Sequence, residues 1–265
     1  MDLKNPAFIS ALGLIALVLG LTGWYMSSHP APAPYQPVVR DELETDFPER
    51  INEQGDYYTI DVSYPTQISF PLSSRSDAGT EAETVMRTWI DRDIAEFRQF
   101  AAENRAAIEE FIQRGEEIPA SFRSMYLSVD YEKKRSDRAL TYLFLSASFT
   151  GGAHGLEVPV TFTFDRTTGK QIVLSDLFLP GTNYLERLST IARTGLPKII
   201  GEYTVPEFIV DGTQESNENF SRFYFEGDHI VFLFPPYQVA PYVVGTVELP
   251  IPLSELSDIL KTEYK

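Results

Sequence analysis

Few residues in this 265-residue chain have the types and spacing that chemistry needs. There is no cysteine, which excludes thiolate nucleophiles, zinc–thiolate sites, iron–sulfur ligation and disulfides. The three histidines, His29, His154 and His229, lie far apart, and none has a partner at metal-ligand spacing. No Asp-x-Asp-x-Asp-Gly loop points to a cation. A Gly-x-Ser-x-Gly nucleophile turn is also missing, so a serine hydrolase would have to use Ser146 or Ser148 with His154. A glycosidase-type carboxylate pair cannot be singled out among 38 acidic residues. No metal or other cofactor is expected, and no catalytic residue stands out.

Two segments remain. In Gly151-Gly152-Ala153-His154-Gly155, three glycines in five positions call for positive φ or close backbone approach, at a tight turn or beneath a ligand. His154 there can be a general base, a ligand contact or a pH-sensitive switch, or its imidazole can fix a strand crossover by hydrogen bonding a neighbouring loop. The second is Phe234-Pro235-Pro236-Tyr237-Gln238-Val239-Ala240-Pro241-Tyr242, where prolines flank two tyrosines. It reads either as a rigid aromatic surface loop or as a buried corner. The candidate ligand-binding residues are therefore Gly151, Gly152, His154, Gly155, Tyr237 and Tyr242.

The elements around these segments alternate between two periods. Tyr58, Ile60, Val62 and Tyr64 share one face of a strand that Pro65 stops. Thr80 and Glu83 have capping-box spacing. Behind them Met86, Ile90, Ile94, Phe97, Ala101, Ile108 and Phe111 or Ile112 form a helical apolar stripe that Gly115 ends. Asp91, Asp93 and Glu96 are expected to face away from that stripe. Strands follow over Met125–Tyr131, Leu140–Phe149 and 157–165, joined by short turns that predict antiparallel pairing. A second helix is expected from Asn183, interrupted or ended by Gly195 and Pro197. A hairpin turning at Glu226-Gly227-Asp228, a strand over Val243–Ile251 and a short helix capped by Ser254 complete the chain. The expected fold class is α+β, antiparallel sheets with packed helices.

At the other end, Phe8 to Met26 is uncharged and mostly apolar, close to the ~20 residues a helix needs to cross a bilayer. Lys4 before it and Trp24-Tyr25 at its far end suit a retained anchor, with the N-terminus cytoplasmic and the rest outside. A cleaved signal peptide is the competing reading, at Ala31-Pro32-Ala33. Prolines at Pro30, Pro32, Pro34 and Pro37 and the acidic Asp41, Glu42, Glu44 and Asp46 make a stalk. The formal net charge of -16 argues against nucleic acid and favours a basic partner.

Phe149 to Gly155, Phe162-Thr163-Phe164-Asp165 with Thr168-Gly169-Lys170, Leu174-Ser175-Asp176-Leu177-Phe178, and the aromatic-proline segment with Gly245 together resemble the RsiV-like extracytoplasmic family. Tyr57 to Pro65 and the strands up to His154 resemble the PdaC-type domain that precedes it. The resemblance covers roughly Ile51 to Leu260. It implies an α+β extracytoplasmic module, mostly of unknown function, which in RsiV-type anti-sigma factors binds lysozyme and in PdaC-type proteins precedes a peptidoglycan deacetylase domain. In this sequence the segment before the membrane run is far too short for a sigma-binding domain, and nothing follows Lys265 as a deacetylase domain would. The expected organisation is a cytoplasmic tail at 1–7, a transmembrane helix at 8–26, a Pro-rich and acidic linker at 27–50, a PdaC-type domain at 51–155 and an RsiV-like domain at 156–265. The expected role is a non-enzymatic envelope module tethered to the cell membrane, recognising a lysozyme-like protein or wall-derived fragments. An envelope hydrolase using His154 with an acidic partner, or a passive structural module, are the alternatives.

Overall fold

The computed structural model describes residues 46–70, 73–118 and 124–265. The segments expected to be a tail, a transmembrane helix and nearly all of a linker lie outside the described residues. Among those described, no helix is long and apolar enough to cross a membrane.

The first sheet is built around a strand that must be covered on both sides. β4 (Ala139–Phe149) is buried from Ala139 to Phe144 without alternation. It pairs antiparallel with β3 (Met125–Arg135) and with β5 (Leu156–Asp165). β2 (Tyr58–Thr66) lies beside β3, and β1 (Phe47–Gln54) forms the outer edge, giving the order β1-β2-β3-β4-β5.

The β2–β3 pair is parallel, with Tyr58 opposite Met125, where short-turn strands had suggested antiparallel pairing throughout. The cause is α1 (Ala78–Gln113), which carries the chain back along the sheet so that β3 starts at the same end as β2. Its stripe Met86, Ile90, Ile94, Phe97, Ala101 and Ile108 is buried as the spacing predicts, the first five against Ile60, Val62, Leu127, Val129 and Phe144, whereas Ile112 at its end is exposed. The expected capping box does not form. Glu83 instead accepts the backbone N–H of Ile68 at 2.8 Å, tying the segment before the helix to its first turns.

Two further boundaries differ from the sequence reading. β1 begins inside the segment read as linker, because an edge strand exposed over Phe47–Arg50 has no alternation to betray it. Pro65 does not stop β2. It sits opposite Pro48 beside that edge, where the ladder is ending and a missing donor costs little.

The second sheet has the order β6-β7-β8, with β6 at Phe223–Glu226, β7 at His229–Phe234 and β8 at Val247–Pro252. Its Phe223, Phe225, Ile230, Phe232, Phe234, Leu249 and Ile251 pack with Leu188, Ala192, Leu196 and Ile200 of α2 (Tyr184–Ile200). Gly195 and Pro197 were expected to interrupt or end α2, yet the helix runs through both to Ile200 and is capped by Gly201 at φ 63°. Burial of Leu196 and Ile200 on either side holds that last turn against the lost backbone bond. α3 (Pro206–Gly212) follows, too short to show as a periodic pattern.

The opposite face of the second sheet meets the outer face of the first through Tyr224, Val231 and Leu233 against Leu143 and Leu145. The described residues thus stack as helix, sheet, sheet, helix, and fall in one compact unit. The first sheet extends across position 155, since β5 pairs with β4 along its length.

Thr163 fastens the two sheets. Its hydroxyl donates to the Phe223 carbonyl at 3.1 Å, so the Thr141 hydroxyl, 3.0 Å away, must donate to Thr163. Both threonines are buried. Thr163→Val keeps the shape but strands the Phe223 carbonyl and the Thr141 hydroxyl. A stability loss of about 1–3 kcal/mol is expected in urea unfolding, with the m-value unchanged.

Candidate functional site

The β4–β5 connection needs its glycines. Gly151 and Gly152 have φ 104° and 99°, values that any side chain resists. A Cβ on Gly155 would lie 2.6 Å from the Tyr126 hydroxyl and 3.0 Å from the Ser148 carbonyl. This turn presents His154 to solvent. Its Nδ1 lies 3.0 Å from the Gly155 carbonyl, which only accepts, so Nδ1 carries the proton in this contact. Nε2 is then free to accept from the Tyr237 hydroxyl at 3.4 Å. The imidazole stacks on Tyr242 with ring centres 3.8 Å apart and planes 19° apart.

Tyr242 and Tyr237 come from the aromatic-proline segment after β7, which has both characters the sequence allowed. Val239 and Ala240 are buried, whereas Tyr237 is 49% exposed. Tyr237 has φ 71°, an uncommon conformation for a residue with a Cβ. Gln238 next to it holds the loop: its side-chain amide donates to the carbonyls of Gly212 at 2.9 Å and Asn219 at 3.0 Å. Tyr242 donates its hydroxyl to the Gly155 carbonyl at 2.9 Å, which joins the two loops directly. The Tyr237 and Tyr242 rings lie 5.6 Å apart at 32°.

The structure therefore brings His154, Tyr237 and Tyr242 to one place, on a turn shaped by Gly151, Gly152 and Gly155. Tyr126, which sequence reasoning missed, reaches the same turn and stacks on Phe149 at 6.1 Å. Its position on a half-buried strand gave no signal beyond its alternation. The arrangement offers flat aromatic faces with a phenol and an imidazole at the rim, suited to stacking a ring and hydrogen bonding its substituents.

The Ser146–His154 pairing does not form. The Ser146 hydroxyl donates to Asp93 at 2.9 Å. His154 has a carbonyl and a phenol as partners rather than a carboxylate. His229 lies 2.7 Å from the exposed Asp228. Among the described residues, no group of three or more His, Asp or Glu is placed to hold a metal ion.

Asp93 was expected to face away from the core stripe, but it is half-buried, and burial raises its pKa above the usual carboxylate value. A raised folded-state pKa favours folding where Asp93 is protonated, and that contribution is lost as pH rises through the folded value. Asp93→Asn keeps an acceptor for Ser146 and removes the titration. The expected result is a higher melting temperature at pH 7 than the parent, with the difference shrinking towards pH 3.

Residues 175–254 match the family described as "Protein of unknown function (DUF3298)". The chain is 31% identical over 261 residues to the peptidoglycan-N-acetylmuramic acid deacetylase PdaC of Bacillus subtilis, covering 98% of this chain and 52% of that protein. It thus spans about half the length of that curated relative. Among solved structures, a DUF3298 family member from Bacteroides fragilis superposes with a TM-score of 0.59 at 20% identity, covering 83% of this chain and 95% of that one. One from Pseudomonas aeruginosa superposes at 0.51 with 18% identity, covering 83% and 97%. The solved structures share the fold, the DUF3298 match lies in residues 175–254, and the chain is similar to about half of PdaC.

Proposed function

We propose that this chain is a binding module of the cell envelope, held outside the cytoplasm by Phe8 to Met26, and that the face formed by His154, Tyr237 and Tyr242 docks a sugar ring of wall-derived glycan. The observation that carries the reading is the joining of two loops, 87 positions apart where Tyr242 meets Gly155, into one exposed aromatic face. A pyranose presents C–H bonds on its face and hydroxyls at its edge. Tyr237 and Tyr242 supply π faces for the first, and the His154 ring and Tyr237 hydroxyl supply partners for the second. The PdaC relative carries wall chemistry in its name, which supports the same ligand class. His154 acts here as a contact, since its ring nitrogens face a carbonyl and a phenol.

A second reading rests on a different observation. The net charge of -16 steers basic proteins towards the chain, and a lysozyme-like protein is such a partner. Salt separates the two, because steering is screened above ~0.1 M whereas stacking is not.

Calorimetric titration of the full-length chain with the disaccharide N-acetylglucosamine–N-acetylmuramic acid, and with lysozyme at low and high salt, tests both. Tyr237→Ala and Tyr242→Ala are expected to weaken disaccharide binding by roughly tenfold each, in the range of single aromatic contacts. Tyr237→Ala, being at an exposed position, should leave the melting temperature nearly unchanged. Disaccharide binding that ignores both substitutions would remove the glycan reading. Stoichiometric lysozyme binding that survives high salt, with no disaccharide binding, would replace it with the protein-partner reading.

A further inference from the structure

A groove of about 790 Å³ lies beside β5, between α1 and the 171–175 and 217–223 segments. It is separate from the aromatic face. Gly155 precedes β5 and Thr161 borders the groove, a separation of roughly 20 Å along an extended strand.

The α1 wall consists of Val85, Thr88, Trp89 and Arg92, whose spacing puts them on one stripe flanking the buried one. Trp89 is fixed by Phe144 and Phe162, with ring centres 5.2 and 5.8 Å away. Across the groove stands Arg222, half-buried. Its Nε donates to the Pro159 carbonyl at 3.0 Å, and among the described residues this is its one side-chain hydrogen bond; Glu218 acts on it at longer range without forming an ion pair. Arg92 is nearly as free, 3.9 Å from Glu96 with its side chain 68% exposed.

This placement runs against the rest of the molecule. In a chain with 38 acidic and 22 basic residues, a half-buried guanidinium should have found a carboxylate. Arg50, Arg75, Arg87, Arg98 and Arg187, all more exposed in character, have done so. Burial also pulls the Arg222 pKa below the usual arginine value, a cost that a bound anion would offset. The terminal nitrogens of a guanidinium match the two oxygens of a carboxylate. With the whole chain at -16, a singly charged anion is favoured over a doubly charged phosphate.

We propose that this groove is a carboxylate-binding site, in which Arg222 and Arg92 hold the carboxylate and Trp89 covers the acyl or sugar body attached to it. The class of ligand is a small carboxylic acid whose attached body is covered by Trp89. N-acetylmuramic acid is the probe of choice, a choice that rests on the envelope reading, and N-acetylalanine is the probe that does not.

The test is calorimetric titration of the full-length chain with N-acetylmuramic acid, its methyl ester, N-acetylalanine and N-acetylglucosamine 6-phosphate. The free acid is expected to bind about tenfold or more tightly than its ester, the scale of one charge-assisted pair. Arg222→Gln should reduce the acid to the affinity of the ester, and Arg222→Lys, which keeps charge and loses the fork, should fall between. Tyr242→Ala should leave the affinity for N-acetylalanine, which has no sugar ring for the aromatic face, unchanged, since the two places are too far apart to couple. Equal binding of acid and ester by the unaltered chain, a comparison that needs no variant to fold, would overturn the proposal. So would tighter binding of the phosphorylated sugar. Binding of N-acetylalanine without N-acetylmuramic acid would uphold the carboxylate site and overturn the wall as its source.

Discussion

β4 is apolar on both faces over Ala139–Leu145, and most of the architecture answers that constraint. One face needs a helix, which α1 supplies with a stripe long enough to reach β2, β3 and β4 together. The other face needs a second layer, and only the middle of the second sheet is apolar on its far side as well, through Tyr224, Val231 and Leu233. That sheet then requires its own cover, which α2 provides. Burial of large apolar side chains on this scale, ~1.5–3 kcal/mol each, outweighs the local costs at Pro197 and Tyr237. The sheets meet over few residues, so the Thr141–Thr163–Phe223 hydrogen bonds set their register where packing leaves it loose.

Element types were legible wherever one side was solvated, because period-two and period-3.6 patterns need a polar face to be seen. The α1 stripe, β3 and β5 are of this kind, whereas β4 and the hairpin turning at Glu226–Asp228, buried on both faces, were legible from unbroken apolar runs and a turn signal. β1 was not legible: it is an edge strand whose partners are charges and hydroxyls, as in Arg50 with Asp61 and Tyr64 with Glu49. The parallel β2–β3 pair was hidden for another reason. Local turns decide antiparallel neighbours, whereas a parallel pair depends on where a helix of this length delivers the chain. Asp93 shows the limit of stripe arithmetic, since a residue on the flank of a helix can still be covered if the sheet beneath reaches further than the stripe, as β4 does at Ser146.

The candidate site was half legible. Glycine density marked the 151–155 turn and proline density the 235–242 loop, each for backbone reasons that operate within a few residues. Their meeting across 87 positions, at the Tyr242–Gly155 bond, is a product of the sheet stacking and has no local signature. The same holds for Arg222, which is unremarkable in sequence and becomes informative only when the described residues give it a carbonyl partner and no ion pair.

The aromatic face is also preorganised. Tyr237 in its positive-φ conformation costs on the order of 1 kcal/mol or more, and such a conformation persists only where neighbours over-determine it. Those neighbours are the two Gln238 side-chain bonds, the buried Val239 and Ala240, and the stack of His154 on Tyr242. A loop whose sole task was to pass from β7 to β8 could adopt an unstrained path at Tyr237 and turn that ring inward. Holding it outward, half exposed beside His154, removes the ordering cost that a flexible loop would incur on meeting a ligand. On the proposed glycan reading, the strain is the cost of a ready-made surface.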